Sequence, residues 1–159
     1  MKRILVMFAV VVSSFAFAAA TATAAPPIKR SFQFTGITGF AEPAECIFEL
    51  TVATTDKAGN TFPTTSCVQT FDFDPATGVT TLTAALTLFF PDGTVVVDAT
   101  ITEVSPDDPA VVKQTIEGTA EGMSGVYEGH VGTFRSHGKI VFDAFGGASL
   151  DLKGKIRLA

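Results

Sequence analysis

Apolar and polar residues alternate along most of the chain after residue 30, a pattern that is typical of half-buried β-strands. Phe32 and Phe34, for example, alternate with Ser31, Gln33 and Thr35. Seven later segments keep the same period of two: 46–52, 67–73, 82–90, 95–101, 112–116, 140–144 and 150–158. The pattern therefore predicts eight or nine strands and, after residue 24, no amphipathic helix.

Glycine, proline and aspartate separate these segments, as they do at turns between strands. The turn signals fall at 56–60, 74–78, 91–93, 105–109 and 146–147. Short strands at regular spacing predict a small closed antiparallel β-barrel of about eight strands, and a β-sandwich is the alternative because periodicity does not separate the two.

A glycine-rich stretch from Gly122 to Phe134 stands between the sixth predicted segment and the seventh. Glycine alone accepts a positive φ without strain and leaves room for a neighbouring backbone. The stretch therefore predicts a tight turn that runs into a strand, where another part of the chain passes closely.

The same stretch carries a family resemblance. Its segment from Gly122 to Gly132, with Ser124, Tyr127 and Glu128, resembles the glycine-rich segment of the allene oxide cyclase and dirigent proteins. These are eight-stranded barrels that bind apolar ligands and steer cyclisation or coupling. Ser124 and Glu128 make the segment more similar to the cyclase version. Dirigent proteins usually have an arginine where this chain has Val131, and this speaks against dirigent-type coupling. The resemblance implies a barrel with an apolar ligand and, from the family's trimeric habit, a homo-oligomer.

The first residues have the features of a cleaved signal peptide. Lys2 and Arg3 precede an apolar run over 4–20, and Ala22-Thr23-Ala24 forms a small-residue cleavage site. We expect a signal peptide at 1–24 and a single domain at 25–159, which places the mature protein outside the cell or in the periplasm.

The charge balance excludes some partners. Without Lys2 and Arg3, nine of the eleven Lys and Arg residues remain against sixteen Asp and Glu, a net charge of −7. This excess of negative charge repels phosphates and the sequence shows no basic stripe, so we expect no nucleic-acid partner. The chain has no tryptophan and one tyrosine, whereas membrane barrels have aromatic girdles, so we expect no membrane embedding.

Two cysteines in an exported chain predict one disulfide, between Cys46 and Cys67. Each shares its parity with apolar neighbours, on two strands that a hairpin makes adjacent. Two cysteines do not make a structural zinc site, and His130 and His137 lack the spacing of ligands. No metal site is predicted.

The apolar parity of each strand supplies the expected ligand-binding residues of the interior: Phe34, Phe48, Gln69, Phe71, Leu86, Gln114 and Phe142. Gln69 and Gln114 are the evident polar side chains among them. Neither titrates, and this favours binding over general acid–base catalysis.

Candidate catalytic residues come from the glycine-rich stretch, where the parity is ambiguous. If Tyr127 faces inward, its phenol is a hydrogen-bond donor in an apolar pocket. If instead Glu128 and His130 face inward, they lie two residues apart on one side of a strand and form an acid–base pair. The third interpretation makes Tyr127 a packing residue and leaves Glu128 and His130 in solvent.

Three functions remain open from the sequence. The first is a module that binds a small apolar molecule without chemistry, and the second is a cyclase or isomerase that uses no cofactor. The third is a structural envelope protein whose barrel is filled by phenylalanine side chains. No Ser-His-Asp order, phosphate-binding glycine loop or dinucleotide fingerprint is present, so no cofactor is expected.

Overall fold

The chain forms a closed barrel of eight antiparallel strands that follow one another in sequence order, with the last strand paired to the first. This computed structural model describes residues 26–105, 108–145 and 147–159. The strands are β1 (Ile28–Ala41), β2 (Phe48–Asp56), β3 (Thr61–Asp74), β4 (Val79–Phe90), β5 (Gly93–Val104), β6 (Val111–Gly122), β7 (Val131–Phe142) and β8 (Ala148–Leu158). The predicted barrel is confirmed and the sandwich is excluded, because a sandwich leaves its sheets open.

The predicted signal peptide at 1–24 lies outside the described residues. The described part of the chain has one short 3-10 turn, Gly125–Tyr127, and contains no helix that is long and apolar enough to cross a membrane.

The two ends of the barrel differ, and we name them here. At the open end β1, β3, β5 and β7 finish, at Ala41, Asp74, Val104 and Phe142. At the closed end β2, β4, β6 and β8 finish, at Asp56, Phe90, Gly122 and Leu158.

Aromatic side chains fill the interior near the closed end. The ring of Phe90 lies 4.6 Å from that of Phe62, 5.3 Å from that of Tyr127 and 5.9 Å from that of Phe32, centroid to centroid. Phe32 also stacks on Phe134 at 5.9 Å. All five are buried, and burial of each such ring contributes about 2–3 kcal/mol. This half of the barrel is a packed core.

A β-bulge in β3 changes which of its residues face the interior. The pairing with β4 shifts between Val68 and Thr70, so the alternation before Gln69 does not continue after it. Thr64, Ser66 and Val68 are buried, whereas Gln69 is exposed. The expectation that Gln69 faces the interior is therefore wrong, because the inward residues of β3 up to Val68 are even-numbered and Gln69 is the extra residue of the bulge.

Beyond the bulge, the hairpin of β3 and β4 extends past the barrel wall. Phe71 pairs with Leu82, whose side chain points inward, but β2 has no residue opposite this part of β3. As a result Phe71 is 57% exposed, and the expectation that it is an interior residue is wrong.

The predicted disulfide between Cys46 and Cys67 is confirmed. The argument that both cysteines share the apolar parity of their strands is not confirmed. Cys67 alternates with the buried Ser66 and Val68 and so lies on the outer side of the barrel. Cys46 lies just before β2. The N–H of the next residue, Ile47, donates to the Val68 carbonyl on β3, and the Cα atoms of the two cysteines are 5.4 Å apart. The bond attaches the loop between β1 and β2 to β3 at the open end.

The outer surface of the barrel is polar but not uniformly acidic. Exposed cations gather on three neighbouring strands: Lys29 on β1, Arg135 on β7, and Lys153, Lys155 and Arg157 on β8. The expectation that the chain has no basic stripe is wrong. The stripe escapes sequence analysis because barrel closure brings together strands from opposite ends of the chain.

Candidate functional site

The open half of the barrel holds a cavity of about 90 Å³ that reaches the end of the strands. Its walls come from all eight strands, and most of the side chains are aliphatic or aromatic. The lining residues are Phe34, Ile37, Phe48, Leu50, Val52, Thr64, Ser66, Val68, Leu82, Leu86, Ile101, Glu103, Gln114, Ile116, Ile140, Leu150 and Leu152. An apolar molecule, or the apolar part of a larger one, is the chemistry that such a lining accepts.

One wall of the cavity is polar. Glu103 on β5 and Gln114 on β6 lie opposite each other in the ladder, and the side-chain amide of Gln114 donates to Glu103 Oε1 over 2.7 Å. Both side chains are half-buried. The bond orients the carboxylate and leaves its second oxygen as an acceptor near the mouth of the cavity.

Two hydroxyls deeper in the barrel satisfy each other. Thr54 Oγ1 and Thr64 Oγ1 are 2.8 Å apart and fully buried, on the paired strands β2 and β3. Ser66, one step further toward the mouth, also faces the cavity. The small side chains of Thr64 and Ser66 leave room that leucine or phenylalanine would fill, and so they account for part of the cavity.

Exposed apolar side chains surround the mouth, and we call them the rim. Its members are Phe40 at the end of β1, Ile47 before β2, Phe71 and Phe73 on β3, and Phe142 and Phe145 around the end of β7. Phe145 is 99% exposed and Phe40 is 63% exposed. Exposed apolar groups concentrated at one place on a surface mark sites of binding.

The closed end is sealed by Tyr127, which is fully buried. Its hydroxyl donates to Asp92 Oδ1 over 2.7 Å and accepts from Arg30 Nε over 2.9 Å. Arg30 also forms an ion pair with Asp92 and lies over the tyrosine ring, 5.6 Å from its centroid. Burial raises the pKa of Tyr127 to about 12, and the bond to Asp92 acts in the same direction. The phenol is therefore neutral over the physiological range.

Glycines allow this seal to form. Gly125 has φ +65° and lies against the turn between β4 and β5, where an added Cβ would overlap the carbonyl oxygen of Asp92. At Gly122 an added Cβ would overlap the carbonyl oxygen of Tyr127. The prediction of a tight turn with a second backbone close by is confirmed, and the strand that follows is β7.

The candidate catalytic residues are not brought together at the cavity. Tyr127 lies at the opposite end of the barrel, with its hydroxyl engaged by Asp92 and Arg30. Glu128 is exposed in the turn, and His130 Nδ1 lies 3.2 Å from the backbone oxygen of Glu128. The alternative with Glu128 and His130 inside the barrel is wrong, because these residues belong to a turn and not to a strand.

Most of the expected ligand-binding residues do belong to the open end. Phe34, Phe48, Leu86 and Gln114 line the cavity. Phe142 continues the inward parity of Ile140 but is 44% exposed at the rim, because β7 ends there. Phe71 is also a rim residue, and Gln69 is in neither group.

Sequence reasoning missed Glu103 and Arg30. Glu103 continues the odd-numbered inward positions of β5 after Ile101, and Arg30 has the parity of Phe32, so alternation alone would have placed both on the inner side. Alternation does not identify Asp92, since this residue lies in a turn and not in a strand. Its partnership with Tyr127 spans 35 positions of sequence.

No metal or cofactor site emerges from the side chains that the structure describes. Among them, no group of three or more His, Cys, Asp or Glu residues is arranged to hold a metal ion. The turn aspartates have structural partners instead. Asp56 accepts from the side-chain amide of Asn60, which holds the pKa of Asp56 below its usual value.

No protein-family model matches the chain, and no curated protein matches it.

Proposed function

We propose that this protein binds a small apolar molecule at the open end of its barrel. The observation that carries the proposal is the combination of an apolar cavity with a mouth that is ringed by exposed phenylalanines. The resemblance of the glycine-rich stretch to allene oxide cyclases and dirigent proteins points to the same class of ligand. The disulfide supports export to an oxidising compartment, where a carrier of this kind would meet its ligand.

The size of the cavity limits how the ligand sits. Pockets that enclose a drug-sized molecule measure roughly 300–1,000 Å³. The cavity of about 90 Å³ is smaller, so it takes one alkyl or aromatic end of the ligand. The rest of the molecule lies against the rim, and a polar group near the mouth meets Glu103 and Gln114.

A neutral fluorescent probe tests the proposal. We expect N-phenyl-1-naphthylamine to bind to the purified mature protein with enhanced fluorescence. Ser66→Phe places a ring in the cavity and should abolish the enhancement, whereas Ser66→Ala keeps the space and should preserve it. Equal binding by the two variants, with both folded by circular dichroism, would place the probe outside the cavity and contradict the proposal.

The rim has its own matched comparison. Phe71→Ser removes an exposed ring at the open end, while Phe89→Ser removes a ring that is 42% exposed near the closed end. We expect weaker probe binding only in the first variant. An equal loss in both would mean that the probe adheres to exposed phenylalanines in general.

A second candidate is a cyclase or isomerase that needs no cofactor, and Glu103 is the observation that favours it. It is the one carboxylate among the described residues that line the cavity, and its side-chain bond from Gln114 engages Oε1. A carboxylate in such a place can accept a proton or stabilise developing positive charge. The test is to extract the copurifying molecule from the native host and to follow its conversion by wild-type protein and by Glu103→Gln.

The cavity also bears on the third function open from the sequence, a filled structural barrel. Only the closed half is packed with aromatic side chains, while the open half has space and a mouth. Both binding and catalysis use that space, and a purely structural role leaves it unexplained.

A further inference from the structure

Five exposed lysines and arginines of β1, β7 and β8, together with His137, form a single surface, which we call the basic face; Lys139 of β7 lies beyond it, opposite Asp151 on β8. It consists of Lys29, Arg135, His137, Lys153, Lys155 and Arg157, all exposed. Five of the nine lysines and arginines after residue 24 are in it, although the chain from residue 25 onward has a net charge of −7 (nine cations against sixteen acids). A surface depression of about 500 Å³ lies on it, lined by Thr133, Arg135, His137, Lys153, Lys155 and Arg157.

Strand register places like charges directly opposite each other on this face. Lys29 pairs with Arg157 across β1 and β8, and Arg135 pairs with Lys155 across β7 and β8. Like charges directly opposite in a ladder destabilise a sheet. The folded protein therefore bears an electrostatic cost here that an anion on the surface would relieve.

The protein itself neutralises little of this charge. Arg135 reaches Glu117 Oε1 at 3.4 Å, in a pair whose side chains are 79% and 62% exposed and which is therefore weak. Asp151, at the edge of the face, accepts a hydrogen bond from Gln33. Lys153, Lys155 and Arg157 form no salt bridge within the described part of the chain.

The geometry of the face suits an extended polymer. Cations two residues apart on one strand are about 6.6–6.8 Å apart along it, and neighbouring strands are about 4.8 Å apart. Positive charge thus repeats along and across the surface, with Ser31, Gln33 and Thr133 between the cations as hydrogen-bonding groups.

The chemistry of these intervening residues separates the classes of polyanion. Single-stranded nucleic acids are held by stacking of bases on aromatic side chains, and the basic face has no phenylalanine, tyrosine or tryptophan among its described residues. An anionic membrane surface would call for apolar side chains that insert beside the cations. Hydroxyl and amide groups instead match the hydroxyls of sugars.

We propose that the basic face binds a linear acidic polysaccharide, with its carboxylate or sulfate groups on the cations and its hydroxyls on Ser31, Gln33 and Thr133. The site is on the outside of the barrel and is independent of the cavity. The protein then has two separate binding surfaces, one for an apolar molecule and one for a polymer of the environment into which it is exported.

Calorimetric titration of the mature protein with polygalacturonate and with heparin tests this proposal. We expect binding at low ionic strength that weakens as salt is added, and no binding to neutral dextran. Lys155→Gln should weaken binding about threefold and Lys155→Glu about tenfold. The matched control is Lys113→Gln, which removes one exposed positive charge from β6, outside the face, and should change affinity less than twofold.

A stability measurement accompanies the titration. Relief of the repulsion between Arg135 and Lys155 predicts that Lys155→Gln unfolds at an unchanged or higher urea concentration, so lost binding in that variant is not lost folding. Absence of binding to both acidic polysaccharides at low salt would overturn the proposal. So would equal weakening by Lys113→Gln, or tighter binding of oligothymidylate or of phosphatidylglycerol vesicles than of either polysaccharide.

Discussion

At the scale of single residues, the closed end depends on one hydroxyl group. The phenol of Tyr127 lies between a carboxylate that accepts its proton in a hydrogen bond and a guanidinium that donates to its oxygen. Each bond to a charged partner contributes about 1.5–3 kcal/mol, and both depend on a buried ring held by Phe90.

The raised pKa of Tyr127 predicts a loss of stability in alkali. The folded state holds the phenol proton more tightly than the unfolded state, whose pKa is 10.0, so this contribution is complete below pH 10. It is lost as the pH rises from 10 to about 12, the pKa in the folded protein. Because the chain has one tyrosine, absorbance of the tyrosinate reports this group alone.

The control is Tyr127→Phe, which should unfold at a lower urea concentration than the wild type at pH 7. Between pH 10 and 12 its free energy of unfolding should lack the additional decrease with pH that the wild type shows. A tyrosinate titration with a midpoint near pH 10 in the folded protein would contradict the described environment.

Two buried hydroxyls, one without a hydrogen-bond partner among the described residues and one with a partner, give a second prediction. Ser136 Oγ is buried without a hydrogen-bond partner among the described residues, so Ser136→Ala should raise the free energy of unfolding by about 1 kcal/mol. Thr54→Val leaves Thr64 without its partner and should lower that free energy by about 1–2 kcal/mol. Urea denaturation measures both. Destabilisation by Ser136→Ala would reveal a bound water on that oxygen.

At the scale of elements, the turn Gly125–Tyr127 joins the β6–β7 connection to the turn between β4 and β5. The N–H of Val126 donates to the Asp92 carbonyl, and the N–H of Met123 donates to the Thr94 carbonyl. The β6–β7 connection is not part of the barrel wall, but these hydrogen bonds hold it across the closed end of the barrel.

Two glycines of similar conformation test this contact. Gly125 and Gly78 have φ of +65° and +68°, but an added Cβ would meet the Asp92 backbone only at Gly125. Gly78→Ala should cost about 1 kcal/mol for the left-handed conformation alone. Gly125→Ala should cost about 3 kcal/mol or more, because the turn must also move away. Equal losses in urea denaturation would mean that the turn does not pack against β4 and β5.

The disulfide is the second element-scale feature. It closes a loop across β2 and β3 with a sequence separation of 21 residues, for which loop entropy predicts about 3 kcal/mol of stability. The double variant Cys46→Ser/Cys67→Ser should therefore unfold at lower urea. Wild-type protein with reductant should match it, and an unchanged midpoint in both would show that the bond constrains little.

At the scale of the whole molecule, the barrel divides into a packed half and a half with space. Aromatic packing near the closed end supplies stability, while the open half has a cavity and exposed phenylalanines at its rim.

A ligand of the cavity should stabilise the whole barrel, because all eight strands line it. N-phenyl-1-naphthylamine at a hundred times its dissociation constant is expected to raise the free energy of unfolding by about 2.7 kcal/mol. Ser66→Phe should show no such gain. Stabilisation of that variant to the same degree would place the bound probe elsewhere.

Local sequence determined the strands, most of their inward faces and the cysteine pair. Alternation with a period of two depends only on neighbours, so the inward residues of β4 from Leu82 to Phe90 were predictable. It failed in β3, where a bulge at Gln69 changes the inward parity from even at Val68 to odd at Phe71, so a single alternation does not describe the whole strand.

Only the tertiary structure decided which end of the barrel is open, how Arg30, Asp92 and Tyr127 meet, and where the basic face lies. Arg30 and Tyr127 are 97 positions apart, and Lys29 faces Arg157 because β8 closes on β1. Which residues become neighbours in a closed barrel depends on the register of all its strand pairs together. That register depends on side chains packing across the interior, which no single segment contains.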